Sequence, residues 1–536
     1  MDDDTTISLV SSNEVAPNLA TLPLELRIKI FRYLRPSTRF LPKTVVTKLK
    51  EEDDRGIWDL LILCVTSSRL LEAARPLLYE AINIVERPYY SDDEDDKDEE
   101  ELKGADSDDD DISACMIRQL TCLLRTLSIR PHLAKYIKQI RSIYHLGRQT
   151  QGCRWTTNAM RKAIDAGQPA MVERLSNPHT ADLWTKKFND TPAQAQIMLL
   201  LWLCPNVSEL ALYSYDGPLS RILGLELSPN VPNFHNYGRL ATINLDNFHG
   251  EGIEKHPDFP EPETYDTCIS TLDALPALRH FRHDTPMDVM GVLQAGVERI
   301  PFNGEMLSKL TTLHLIDCQI SMGQVLRTVR PCRVLSDFRF RACAMAINRT
   351  DEDEITHLDF AGICKALVQS KETLRYLCLS MGSGVHQVGN VGTYNTLAAG
   401  TLEEFDKLKT LVVPAAILTE TSEKIDPGDF HFDDVDLQII HSLPSSVVFL
   451  GLSNDQIGRF HGNHNHRWLA REAAAQLARD LARLPNLQAV HILQPRPDVE
   501  YPNELHICCA QDEIELVIEE TLVDDEIMMK HYGITK

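Results

Sequence analysis

The feature that most constrains this chain is a six-residue pattern that keeps returning: an apolar residue, two variable ones, then two apolar residues flanking a variable one. It appears as VSELAL (207–212), LATINL (240–245), LTTLHL (310–315), LSDFRF (335–340), LRYLCL (374–379), LKTLVV (408–413), VVFLGL (447–452) and LQAVHI (487–492). LRHFRH (278–283) is a damaged copy with a histidine in its last apolar place, and IKQIRSI (137–143) is a candidate first member. The closing alternation has the two-residue period of a strand, so positions four and six face one side and positions three and five the other. One short strand with one apolar face is not stable alone, so the copies must stack on one another.

Between the copies lie helix-like segments: AQIMLLLWLCP (195–205), ITHLDFAGICKALVQS (355–370) and REAAAQLARDLARLP (471–485). The last places Ala474, Leu477, Ala478, Leu481 and Leu484 on one face. Strand then helix, repeated, predicts an α/β solenoid with parallel strands on its concave side. The fourth positions of the copies are 25 to 40 residues apart, so the repeats are long and irregular. With 536 residues the chain is too long for one compact core, which fits an elongated repeat body or several domains.

One break in composition divides the chain. Residues 91–111, SDDEDDKDEEELKGADSDDDD, carry fourteen acids and two lysines, half of the chain's formal charge of −24. Such a run repels itself and has almost no apolar surface to bury, so it reads as a disordered linker. Ser91 and Ser107 precede acids, as acidophilic kinases prefer, but a solvated spacer is the simpler reading. With 54 basic residues against 78 acids, the balance argues against a nucleic-acid partner and for protein partners. The thirteen cysteines are scattered without a C-x-x-C pair, which suits buried free thiols in a reducing compartment. The start, MDDDTTISLV, lacks a basic region followed by an apolar one, and the longest apolar run, IMLLLWLC (197–204), is far too short to span a bilayer. The expected location is cytoplasmic, nuclear or both, with no membrane contact.

The N-terminal part has its own character. In NLATLPLELRIKIFRYLRP (18–36), Pro23 suits a first helical turn and Glu25 lies at the positive end of the helix dipole. Leu26, Ile30 and Leu34 share a stripe, with Phe31 beside it. After a polar insert, residues 58–84 predict a second helix, a third broken at Pro76, and a strand from Ala81 to Val85. Three short helices make a marginal core, so part of their apolar surface should stay exposed until a partner covers it.

The pattern L-P-x-E-L-x-x-x-I-F-x-x-L, followed by D-L-L-x-L-x-x-V-x-S-x-x-L and R-P-L-L-Y, resembles an F-box, in the form common to fungal F-box proteins with divergent leucine-rich repeats. Later stretches are similar to that group too: 123–143, 401–414 and 443–452. The fold this resemblance implies is a small all-α F-box module followed by an irregular leucine-rich-repeat-like horseshoe. The implied organisation is a tail at 1–18, the box at 19–85, the acidic linker at 86–112, the repeats at 113–500 and a C-terminal segment, 501–536, placed to cap the solenoid. The implied function is substrate recruitment in a cullin-based ubiquitin ligase, without catalysis and without a cofactor. The box would dock on a Skp-type adaptor, and through it a cullin, using Leu22, Pro23, Leu26, Ile30 and Leu34 with Leu63 and Cys64; the repeats would hold a protein target. The insert at about 37–56 is longer and more charged than the usual link between the first two helices.

Two other readings stand beside this one. The repeats could form a scaffold that acts outside a ligase, or the repeat body could hide a hydrolase or metal enzyme. For the second, HGNHNHRW brings His461, His464 and His466 close in sequence but supplies no carboxylate or cysteine ligand by the same local spacing. GSGVHQVGNVG (382–392) lacks the lysine of a phosphate loop, and both segments read as loops. A more informative set lies at positions three and five of consecutive copies: His280, Arg282, His314, Arg339 and Tyr376. They form a basic and aromatic strip on the expected concave face, suited to an acidic or phosphorylated target segment, though a merely solvated strand surface is the simpler reading.

Overall fold

The computed structural model describes residues 19–33, 59–85, 123–127, 129–143, 192–213, 219, 223, 237–246, 265–284, 304–318, 322–342, 359–381, 402–414, 443–453, 483–493, 507, 509–511 and 513–519. The insert at 37–56, Leu34, the acidic run, both loop motifs of the preceding paragraph and most of 471–485 lie outside these residues.

Among the described residues, three α-helices come first: α1 (Leu24–Phe31), α2 (59–66) and α3 (Ser68–Leu78). Phe31, Leu60, Leu70, Ala73, Ala74 and Leu77 form their small core, against which Leu24, Ile28, Leu63, Cys64 and Leu78 pack. The second and third helices part at Ser67, whose hydroxyl accepts the Arg69 N–H at 3.3 Å and caps α3. The expected break at Pro76 does not occur. That proline lies inside α3 near its C-terminal end, where it removes one N–H, and the helix runs on to Leu78.

The rest of the molecule is organised by one sheet of twelve parallel strands in strict chain order. They are β1 (Ala81–Val85), β2 (Gln139–Ile143), β3 (Glu209–Tyr213), β4 (Thr242–Asp246), β5 (His280–Asp284), β6 (Thr312–Cys318), β7 (Asp337–Ala342), β8 (Tyr376–Met381), β9 (Thr410–Pro414), β10 (Phe449–Ser453), β11 (Ala489–Leu493) and β12 (Glu515–Glu519). All nine repeat copies are strands, including the damaged one at β5, and IKQIRSI supplies β2. The sheet extends beyond them at both ends. β1, which directly follows the helical module, pairs with β2 across the acidic run, and β12 pairs with β11.

The register aligns like positions of successive copies. Position four reads Leu210, Ile243, Phe281, Leu313, Phe338, Leu377, Leu411, Leu450 and Val490 across β3 to β11, and every one is buried in a single continuous core. Helices between strands cover that face. α4 (Pro131–Ala134), α5 (Pro192–Leu203), α6 (Tyr265–Asp273), α7 (Met322–Val329) and α8 (Phe360–Leu367) each bring residues into it, such as Ala134, Leu199, Ile269, Val325 and Ile363. Asp359 caps α8, accepting the Gly362 N–H at 2.7 Å; a Cβ on residue 362 would collide with that carboxylate.

The repeat starts three residues earlier than the six-residue pattern. The Leu278, Leu310, Leu408 and Leu487 N–H groups donate to the carbonyls of Leu275, Leu307, Phe405 and Leu484, all buried, so β5, β6, β9 and β11 are entered through tight apolar turns. The residue before each strand then links neighbours. The Ala241 carbonyl accepts N–H groups from Arg279 and His280 at 2.8 and 2.9 Å, the Arg279 carbonyl from Thr311 and Thr312, and so on through Ser336, Arg375 and Lys409. Side chains reinforce this row: Thr311 and Ser336 hydroxyls donate to the carbonyls of Arg279 and Thr311, and Ser446 to Leu408 at 2.7 Å. The carbonyl before each of these strands is thus met by the next repeat, which ties successive turns into one row.

Candidate protein-interaction site

Two regions carry the side chains singled out from the sequence. On α1 the spacing produces two faces. Arg27 and Phe31 are buried, with Leu24 and Ile28 half-buried beside them, so the core stripe is i, i+3, i+4, i+7 from Leu24. The Arg27 guanidinium donates through Nη1 to the Arg69 carbonyl, which ties α1 to the start of α3. The other stripe is left outside. Leu26 is 46% and Ile30 40% exposed, followed by Tyr33 at 90%. On α2, Ile62 at 56% and Val65 at 85% are also exposed. Exposed large apolar side chains are concentrated in this module; elsewhere among the described residues they are Ile129, Val334 and Ile507.

Of the residues expected to meet an adaptor, Leu26 and Ile30 therefore present apolar surface, and Pro23 is exposed at the N-cap of α1. Leu22, Leu63 and Cys64 are half-buried, the last two against the module's core. The sequence reading missed Tyr33, Ile62 and Val65. The signal was present: Tyr33 continues the i, i+4, i+7 spacing from Leu26, and a helix apolar all round on so small a module must leave one side uncovered.

The second region is the sheet face opposite the main core. Register places Arg282, His314, Arg339 and Cys378 side by side at position five, and His280, Thr312, Asp337 and Tyr376 at position three. All five expected residues are thus brought to one face across β5 to β8. Their environment differs from a solvated strip. His280 is exposed and Arg282 half-buried, while His314, Arg339 and Tyr376 are buried. Arg339 is held by its own repeat: Nε donates to Asp337 Oδ1 at 3.1 Å and Nη2 to Oδ2 at 3.4 Å, and the guanidinium lies 4.3 Å over the Tyr376 ring. His314 Nε2 lies 3.0 Å from Asp337 Oδ1.

Burial sets the charges of this cluster. It holds His314 down at about 4, helped by the cationic Arg339 and Arg282 and opposed by Asp337, so the imidazole is neutral at pH 7. Burial also works against ionisation of Asp337, but His314 and Arg339 beside it more than offset this and keep the carboxylate well below its ordinary range. What remains at neutral pH is a closed Asp337–Arg339 ion pair stacked on Tyr376. Those two charges are committed to each other.

From β8 onward this face turns apolar. Tyr376, Cys378, Val412, Phe449 and Ala489 form a second buried cluster, and His491 lies with its ring 4.8 Å from Phe449. Strands β8 to β11 are therefore buried on both faces. Their sequences carried the sign of it: LCLS, TLVV, VFLGL and AVHI lack the apolar-polar alternation of a half-exposed strand. Among the described residues, Cys204, Cys332 and Cys364 are free thiols pushed up to about 12 by burial, and no helix is long and apolar enough to cross a membrane. Comparison with known proteins adds no relative: no family model and no curated protein matches the chain.

Proposed function

We propose that this chain is a substrate-recruiting subunit of a Skp–cullin–F-box type ubiquitin ligase, with an F-box at its N-terminus and a leucine-rich-repeat-like horseshoe behind it. The observation that carries this reading is the apolar surface of the helical module, where Leu26, Ile30, Tyr33, Ile62 and Val65 stand outside a core of six residues. A patch of this kind on a small helical unit is an interaction site, and the L-P-x-E-L-x-x-x-I-F-x-x-L resemblance names a Skp-type adaptor as the occupant. The sheet supports a second role, as a rigid body that holds a protein target near the ligase; its contribution to ubiquitin transfer is proximity, with the chemistry located elsewhere. Such a subunit works in the cytoplasm or nucleus and needs no cofactor of its own.

The test is capture of purified Skp-type adaptor by the full-length chain and by a Leu26→Asp/Ile30→Asp variant. Capture by the wild type and its loss in the variant, with unchanged circular dichroism, supports the reading. Equal capture, or none by either, overturns it. Capture without recruitment of a cullin would favour the scaffold acting outside a ligase.

A further inference from the structure

A row of cations runs along the edge at which the strands begin. The turns leading into β4 through β8 carry Arg239, Arg279, Lys309, Arg330, Arg333 and Arg375. Their acids are Glu305 and Glu372, apart from Asp273 at the end of α6, whose carboxylate accepts the N–H groups of Gly304 and Met306 at 3.1 and 2.9 Å. The linked carbonyls described above place Arg279 and Arg375 in one line with Thr311 and Ser336 between them, so all these turns share one edge. Among the described residues, none of the six cations forms an ion pair. Arg239 meets Asn206, Arg279 bonds the Leu278 carbonyl, and Lys309 lies near the Met306 sulfur. Two further cations of this edge are neutralised: Lys138, before β2, pairs with Glu80, and Lys371, in the same turn as Arg375, pairs with Glu404, both at 2.8 Å. Val334, an exposed apolar side chain, sits within the row.

We infer that this edge, rather than the opposite face of the sheet, is where the chain binds an acidic segment of a partner protein. The inference deepens the proposed function, and only the identification of that partner as the ligase target rests on it. Two observations carry it. The cations expected to receive such a segment on the sheet face include Arg339, which is buried and spent on Asp337. The edge cations, by contrast, are uncompensated on a chain whose formal charge is −24, so their clustering is local and not a consequence of composition. Five strands roughly 4.8 Å apart make the row about 19 Å long, the span of some six extended residues. Carboxylates at alternate positions of such a segment are about 6.8 Å apart, so three of them span the five turns, and Val334 gives one apolar contact.

The experiment uses the full-length chain and a fluorescein-labelled peptide of about twelve glutamates, long enough to cover the row. Controls are its glutamine counterpart and a single-stranded oligonucleotide of equal charge. The expected result is anisotropy-detected binding of the glutamate peptide that weakens as salt rises from about 0.05 to about 0.3 M, with none of the glutamine peptide. Arg333→Glu/Arg375→Glu should weaken it about tenfold or more and Arg333→Gln/Arg375→Gln by less, whereas Arg125→Glu/Lys365→Glu leaves it within about twofold. Circular dichroism shows whether each variant is folded, and the glutamine pair carries the test if the reversal is not. Unchanged affinity in both edge variants, or tighter binding of the oligonucleotide, overturns the inference. So does a large gain in affinity when the acids of 91–111 are replaced by serine and asparagine, because the chain's own acidic run would then be the occupant. Adaptor capture is not read here, so failure of this inference and failure of the ligase reading remain separate results.

Discussion

At the scale of single residues, the most consequential group is the Asp337, Arg339 and His314 cluster. A buried ion pair stabilises little relative to an apolar replacement, but losing one member is costly. Asp337→Asn should therefore destabilise the chain by about 3 kcal/mol in denaturant melts, and adding Arg339→Met should recover part of that loss. His314 gives a pH signature of definite sign. Its folded value of about 4 lies below the ordinary 6.5, so the unfolded chain binds the extra proton and stability falls as pH drops through that window. Asp337, also depressed, extends the loss below its ordinary value of 3.8. Between pH 7 and pH 5 the wild type should lose about 2 kcal/mol more than His314→Gln. Equal pH slopes in the two proteins would remove burial of the neutral imidazole from the account.

At the scale of elements, α1 separates packing from docking on a single eight-residue helix. Phe31 fills the module's core, so Phe31→Ala should cost about 3–5 kcal/mol, whereas Leu26→Asp and Ile30→Asp should each cost under about 1 kcal/mol while abolishing partner capture. Thermal melts and pull-downs on the same three variants check this. The stripe Leu26, Ile30, Leu34 was legible from spacing, but spacing cannot say which of two apolar stripes faces inward. That depended on α2 and α3, whose Leu60, Leu70 and Leu77 meet Phe31. The behaviour of α3 is similar: Pro76 is a breaker by local rule, yet the packing of Leu77 beyond it keeps the helix going. At Asp359 the determinant is local instead: its carboxylate accepts the N–H of Gly362, three residues on, and caps α8.

At the scale of the whole molecule, a sheet whose strand order is the chain order makes each repeat depend mainly on its two neighbours. Phe338, at the centre of the core, touches this directly: Phe338→Ala should cost about 3–5 kcal/mol, and hydrogen exchange should quicken first in β6 to β8 while β1 and β12 keep their rates. Uniform loss of protection along all twelve strands would show a single cooperative unit instead.

The sequence by itself determined the strands of the repeat copies, their phase and their mixing with helices, because period-two alternation and the stacking of like positions are local properties repeated many times; β12, which carries no copy of the pattern, it did not determine. It also determined that a small helical module with surplus apolar surface precedes the sheet. Only the tertiary structure decided what the second face of the sheet is. Positions three and five looked solvent-facing, yet Arg339 is neutralised by a residue two places away and Cys378, Val412 and Phe449 are buried together. Burial of that face depends on groups distant in the chain, which no six-residue pattern contains. The same holds for the cationic edge: Arg239, Arg279, Lys309, Arg333 and Arg375 are spread over more than a hundred residues of sequence, and only parallel pairing in register brings them into one row.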